Sequence, residues 1–449
     1  MALHMVPVKP ENVVELQIES VDLDAQGIAR RDGKVVFVAG ALPGERVRAE
    51  ILKSKPSYEK ARTVEILKSS CARVEPRCPH FGVCGGCSMQ HLEFSSQVAI
   101  KARALEDQLW HIGRIRPQRV LRPLQGPAWG YRHRARLTCR LVTKKGGMLV
   151  GFHEKGSSYV ADMRECHILP KALSDLLMPL RELLGGLSIA DRAPQIEIAV
   201  GTDVTALVLR HLQPLSRSDE DALRRFADTH GVQWWLQPSG PASVKLFYPE
   251  TGPQLRYELP AFGISMPFLP TDFTQVNHSI NEAMVTQAID LLGIEPTDRV
   301  ADLFCGLGNF SLPLATRAAE VMGVEGADTL TKRAQDNAVH NGLGHKTRFL
   351  ARNLFELGLQ EWNEWGYFDR VLIDPPREGA QAVAQVLAAA TRLPKRIVYV
   401  SCNPATLARD AAILIHEGRF ELKAAGAINM FPHTSHVESI AVFEPRSDA

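Results

Sequence analysis

From Phe268 to the C-terminus, short apolar runs alternate with longer amphipathic ones, and few folds other than a parallel sheet flanked by helices satisfy that pattern. The run 278–292 sets Val285, Ala288, Ile289 and Leu292 on one side of a helix, with Gly293 after its end. RVADLFCGLGNF, residues 299–310, then reads as strand, glycine turn and helix start. Gly306 and Gly308 let the backbone approach a ligand. Ser311 stands where a dinucleotide site would place its third glycine, which disfavours a pyrophosphate cofactor. Glu325 falls seventeen residues after Gly308, at the end of the next strand, where an acid accepts both hydroxyl protons of a ribose. Asn353 follows the third strand and Asp374 the fourth. Polar groups at four strand ends lie where such sheets bind ligands.

A second strand-to-helix turn sits in IVYVSCNPATLARD, residues 397–410. The β-branched and aromatic run 397–400 predicts a buried strand ending at Ser401, Asn403 suits an N-cap and Pro404 the first helical position. Cys402 therefore faces a positive helix end, which is expected to pull its thiol below the usual value of about 8.5. From this segment alone, a nucleophile and a small buried hydrophobe are equally open readings.

At 449 residues the chain predicts two or three domains, divided here at 1–70, 71–265 and 266–449. Strand patterns at 13–18, 35–38, 46–51 and 61–66, broken by glycines, fit a small OB-like β-barrel. Residues 46–68 carry seven basic side chains against three acids, with Tyr58 among them, which suits backbone contact and stacking on a nucleic acid. The middle reads as an α+β domain. Its first strand places Arg132, Arg134, Arg136 and Arg140 on alternate positions, a face suited to RNA. Between Lys101 and Lys145 twelve Lys or Arg oppose two acids, an excess a polyanion would require although the net charge is only +2.

Cys78, Cys84 and Cys87 form C-x5-C-x2-C, and Gly85 and Gly86 let the sulfurs face one centre. Three thiols in ten residues predict ligation, with Cys166 chosen as the fourth ligand over Cys71 and Cys139. No second close pair follows, which suits an iron-sulfur cluster at least as well as zinc, and spacing alone leaves both metals open. The motif's distance in sequence from the other motifs points to a structural role. No apolar run approaches the length of a membrane span and no signal-peptide core is visible, so a cytoplasmic protein is expected, and a monomer.

FTQVN (273–277), DLFCGLGNF (302–310), DPPREG (374–379), VSCNPATLARD (400–410) and MFPHTSHVE (430–438) occur in the order in which they resemble the RNA uracil C5-methyltransferase family, of the class I (Rossmann-like) S-adenosylmethionine-dependent methyltransferase fold. GIARRDGKVVFVAGALPGERV is similar to the TRAM domain, an RNA-binding module. With the cysteine cluster, this resembles the branch acting on 23S ribosomal RNA. The resemblance implies Cys402 as nucleophile at uracil C6, Glu438 as the base that removes the C5 proton, and cofactor contacts from Gln275, Phe304, Asn309, Glu325, Asn353 and Asp374. Implied cofactors are S-adenosyl-L-methionine and an iron-sulfur cluster of the 4Fe-4S type. The rivals are another ribosomal or transfer RNA uracil and a non-catalytic RNA-binding assembly protein, which would have no reason to keep both Cys402 and Glu438.

Overall fold

The computed structural model describes residues 9–22 and 24–447; the first eight residues of the expected barrel and the last two of the chain lie outside the described residues. The barrel is a six-stranded sheet, in the order Val13–Gln17, Arg46–Ser54, Tyr58–Lys68, Lys34–Ala39, Gln26–Arg31 and Ser20–Val21. The run 13–21 closes it. After pairing with residues 46–50, the chain passes its Ile18 amide to Glu45 O and its Glu19 amide to Ile28 O, joining both edges. Leu16, Ile18, Val36, Val38 and Val47 fill the interior. Leu52, Lys53, Lys55 and Lys60 stay exposed around one tip, next to half-buried Tyr58.

The middle domain is also built on six strands, in the order Lys245–Tyr248, Val232–Gln237, Thr205–Arg210, Gln195–Val200, Arg134–Val142 and Gly147–Gly151. Alternation on Arg134–Val142 buries Ala135, Leu137 and Cys139 and turns the arginines outward. Two of those arginines are engaged within the protein, while Arg140 stays exposed. Arg134 donates to the carbonyls of Pro270 and Asp272, and Arg136 pairs with Glu197 at 2.8 Å.

The third sheet has eight strands, ordered Thr347–Ala351, Glu320–Glu325, Arg299–Leu303, Arg370–Ile373, Arg396–Ser401, Glu438–Pro445, Phe420–Ile428 and Arg119–Val120. The first five are parallel, and Glu438–Pro445 runs against them. Both faces are covered by helices, so the strands read as continuous apolar runs rather than alternating ones.

The expected division at 71–265 is crossed by Phe94–His111 and Arg119–Val120. Leu105 and Leu109 of that helix share a core with Leu407, Ala408 and Ala411 of Pro404–Ala412, and Arg119–Val120 extends the third sheet. An apolar helical stripe shows that a helix needs a partner, not which domain supplies it. Among the described residues no helix is long and apolar enough to cross a membrane.

Candidate active site

Carboxyl ends of the parallel strands gather the expected ligand-binding groups. Arg299–Leu303 ends in Phe304, whose φ of 67° lies in the left-handed region that non-glycine residues avoid, and the turn continues through Gly306 and Gly308 at φ 55° and 96°. At Gly308 a Cβ would meet Leu312 Cδ1 at 2.5 Å, so close packing as well as conformation requires glycine there. Glu325 ends the adjacent strand and accepts the Gly306 amide at 3.1 Å and the Gly326 amide at 2.8 Å, which fixes its carboxylate beside the turn. Asn353 and Asp374 follow the outer and inner neighbours, with Asn353 capping a short turn through Phe355 N at 3.1 Å. Asp302 is buried beneath, bonded to Ser311 at 2.5 Å, while its Oδ1 has no partner. An uncompensated buried oxygen, an open glycine at 306 and an acid at the next strand end fit a ligand carrying a cationic group and a ribose.

Asn309, at the end of the turn, is also held from outside it. Its amide is engaged with Asn281, at 2.9 and 3.0 Å, and with the Tyr257 hydroxyl at 2.8 Å, so it ties the glycine turn to helix His278–Leu292. Gln275 lies half-buried in a loop that Arg134 and the His133 amide hold against the sheet. Neighbouring Phe273 is 72% exposed.

Cys402 follows Arg396–Ser401 as expected, with Asn403 capping helix Pro404–Ala412 through Ala405 N at 3.1 Å and Pro404 in its first turn. Asn403 Nδ2 and Thr406 also reach Arg377 O, at 3.1 and 3.3 Å, fastening the 374–379 loop to this turn. Antiparallel register sets Ser401 opposite Ser439, so Cys402 and Glu438 lie at the same end of adjacent strands. The helix start does not lower the thiol. Burial, then the Glu438 and Asp374 carboxyls, push Cys402 up to about 12 against the pull of Arg377. Burial and Asp374 likewise raise Glu438 to about 8, while Arg377 and Lys101 oppose, and burial with Asp302 raises Asp374 to about 7. Cys305 is sealed inside the cofactor turn and its thiol is held well above the ordinary range.

Two groups escaped the sequence reading. Asp410 is buried and accepts Ala380 N at 2.6 Å and the Tyr399 hydroxyl at 2.7 Å, bracing the turn on either side of Cys402. Lys101, counted above with the basic excess, is 1% exposed and therefore closed to RNA. Its neighbours are polar atoms of residues 429–431. A lone lysine in a helical pattern carries no signal for either role.

Cys78, Cys84, Cys87 and Cys166 line one small cavity with Phe81, Phe152 and Met163. Burial raises their thiols, Cys87 to about 12 and Cys166 to about 11. Cys71 is exposed and Cys139 is buried in its strand, apart from this cavity. Among the described residues no three His, Cys, Asp or Glu side chains stand together as ligands of a single metal ion. Nor is this loop remote from the strand ends. The amides of Ser88 and Met89 donate to His433 O at 2.9 and 3.0 Å, and Trp129 stacks on the His433 ring at 3.9 Å.

The family model for tRNA (uracil-5-)-methyltransferase matches residues 264–446, and that for the TRAM domain matches residues 7–64. A protein of Bordetella avium described as 23S rRNA (uracil(1939)-C(5))-methyltransferase RlmD is 65% identical over 96% of this chain and 91% of its own length. One of the same description from Ralstonia pickettii is 61% identical, covering 96% and 98%. Among solved structures, the tRNA (uracil-54, C5)-methyltransferase of Pyrococcus abyssi, in complex with S-adenosyl-L-homocysteine, superposes with a TM-score of 0.73 at 22% identity, over 96% of this chain and 100% of that one.

The sheet order, the glycine turn and the acids at the strand ends define an S-adenosylmethionine-dependent methyltransferase of class I, here carrying an RNA-binding barrel. Within that class the chain belongs to the family of 23S rRNA uracil C5-methyltransferases.

Proposed function

We propose that the protein methylates C5 of one uracil in 23S ribosomal RNA, the position numbered 1939 in its relatives' names, with Cys402 as nucleophile and Glu438 as base. The observation that carries this reading is the pairing of those two side chains at one end of adjacent strands, beside Asp374 and the glycine turn.

Uracil C5 is too weak a nucleophile to take a methyl group unaided. Cys402 loses its proton to a neighbouring carboxylate as its sulfur bonds to C6, which places the displaced electrons on C5 and O4. S-adenosylmethionine, when bound, supplies an electrophilic methyl group to C5. Glu438 then takes the C5 proton; those electrons restore the C5–C6 double bond and expel the Cys402 thiolate. A carboxylate raised to about 8 is well matched to this step near neutral pH. Glu325, Asp302, Asn353 and the Phe304–Gly308 turn hold the cofactor, with Gln275 and Asp374 on the side of the reacting base. The uracil lies in folded RNA and is unstacked to reach the sulfur. Exposed Lys53, Lys55 and Lys60 on the barrel hold the flanking strand. The enzyme acts as a monomer in the bacterial cytoplasm, where its substrate is made.

The four-cysteine cavity is assigned to a 4Fe-4S cluster. In support, Cys78, Cys84, Cys87 and Cys166 line one cavity, and a 4Fe-4S cluster takes one thiolate at each of its irons. Anaerobically purified protein is expected to carry about four irons and four sulfides per chain; stoichiometric zinc would refute the assignment. For the activity, 5-methyluridine should disappear at one position of 23S ribosomal RNA when the gene is deleted. It should return with the wild-type gene and not with Cys402→Ala, and its return with that variant would remove the nucleophile.

A further inference from the structure

The positive charge concentrated between Lys101 and Lys145 is only partly used inside the protein. Lys101 is buried, Arg103 pairs with Asp107 at 2.8 Å, Lys145 pairs with Glu154 at 3.3 Å, and Arg134 and Arg136 are engaged as described. Arg114, Arg116, Arg119 and Arg122 are not. All four are exposed, and among the described residues none of them meets an acid within ion-pair distance. Glu421, on the neighbouring strand, is taken up by Gln118 at 2.6 Å and Lys423 at 2.9 Å.

These arginines are carried on a fixed track. After helix Phe94–His111 the chain is hydrogen-bonded along the outer edge of the eight-stranded sheet. The amides of Gln118, Leu121 and Leu124 donate to Leu422 O, Ala425 O and Ala427 O at 3.0, 2.8 and 3.0 Å. The segment runs parallel to Phe420–Ile428, and Leu124 O accepts the Asn429 amide at 2.8 Å, so the track ends where the loop leading to Glu438 begins.

Two details separate it from an ordinary solvated edge. Arg116 lies over the Trp110 ring at 4.5 Å and Arg114 at 5.9 Å. An indole that is itself 41% exposed holds a guanidinium flat and leaves its N–H edge free for the oxygens of an anion. Arg114 also sits at φ 54°, just past a helix end, where glycine fits without strain. Charges that merely guard a strand edge against pairing would be needed at Arg119–Val120 and not before it.

We infer that this edge is a second RNA-binding surface, distinct from the barrel lysines: Arg114, Arg116, Arg119 and Arg122 grip the sugar-phosphate backbone of 23S ribosomal RNA on one flank of the target uracil. The inference rests on the reading of 23S RNA as substrate. Guanidinium forks match pairs of phosphate oxygens, and four of them within nine residues, with no lysine among them, form a line that a polyanion strand can follow.

Binding of the full-length protein to a 23S RNA fragment spanning the target uracil, measured by fluorescence anisotropy across a range of potassium chloride concentrations, tests this. Arg116→Gln, Arg119→Gln and Arg122→Gln are each expected to weaken binding roughly three- to tenfold and to make the slope of log K against log[salt] shallower by about one. Arg114→Gly should weaken binding likewise without lowering the melting temperature, because glycine relieves the left-handed backbone. Trp110→Ala should cost about as much as Arg116→Gln, and the two together little more, since the indole acts through that guanidinium. Unchanged affinity and slope in the variant lacking all four arginines would overturn the inference. So would the loss, in that variant, of a dimer seen by sedimentation while RNA binding stays intact, which would assign the edge to a second copy of the chain. Failure of the wild type to methylate the fragment would instead remove the substrate reading, a result distinct from unchanged binding by the variants.

Discussion

Cys402 and Glu438 are chemically ordinary side chains made unusual by burial beside one another. Their motifs were legible in the sequence, and so was the turn, because Asn403 and Pro404 are a local signal that needs no tertiary information. The direction in which the thiol moves was not. A helix start favours the thiolate, but here Asn403 takes up the Ala405 amide, and the dominant influences are burial and two carboxyls brought from residues 374 and 438. Asp374 shows the same tension in stability. Its folded-state value, about 7, lies above the ordinary carboxyl value of 3.8, so the folded protein binds more protons than the unfolded chain between those limits, and ionisation destabilises the fold as pH rises through them. Asp374→Asn is therefore expected to melt above wild type at pH 8 and to lose that advantage at pH 4, while methylation collapses. A variant that melts below wild type at pH 8 would contradict the burial argument.

At the scale of elements, the strand-to-helix turns of the parallel sheet were readable because each is punctuated by glycine, asparagine or proline. Gly308 illustrates why. Its φ of 96° and the contact with Leu312 exclude any side chain, so Gly308→Ala should cost about 1–3 kcal/mol of stability and weaken S-adenosylmethionine binding, measured by thermal unfolding with and without cofactor. Full affinity with an unchanged melting temperature would sink that reading. Helix Phe94–His111 was visible as a helix, yet its docking on Pro404–Ala412 and its delivery of Lys101 were not, since periodicity fixes a face and not the surface it meets. Arg134 and Arg136 show a related limit: whether a charged side chain is free depends on carbonyls and acids that arrive from distant residues.

Across the whole molecule, the cysteine loop, the Phe94–His111 helix and the strand-end loop 429–437 form one continuous structure. Ser88 and Met89 hold His433 immediately after Cys87, and Gln97 and Lys101 hold the same loop from the helix. A structural role was expected for the cysteine motif from its sequence distance, and its loop is hydrogen-bonded to the segment that leads to Glu438. Cys87→Ser is accordingly expected to lower the melting temperature and to slow resolution of the RNA adduct more than its formation, read by stopped reactions on denaturing gels. Equal slowing of both phases would place the cluster's influence elsewhere.

In the proposed mechanism a sulfur–carbon bond forms at residue 402 and Glu438 takes the proton whose loss dismantles it. Glu438→Gln, incubated with S-adenosylmethionine and a 23S RNA fragment containing the target uracil, should yield a denaturation-stable species whose intact mass equals protein plus RNA plus one methyl group. Breakdown of that species should be slowed by about 10²–10⁴-fold relative to wild type. Peptide mapping should place the bond on Cys402. Methylated RNA released freely by this variant with no covalent species, or a bond found on any other cysteine, would contradict the account.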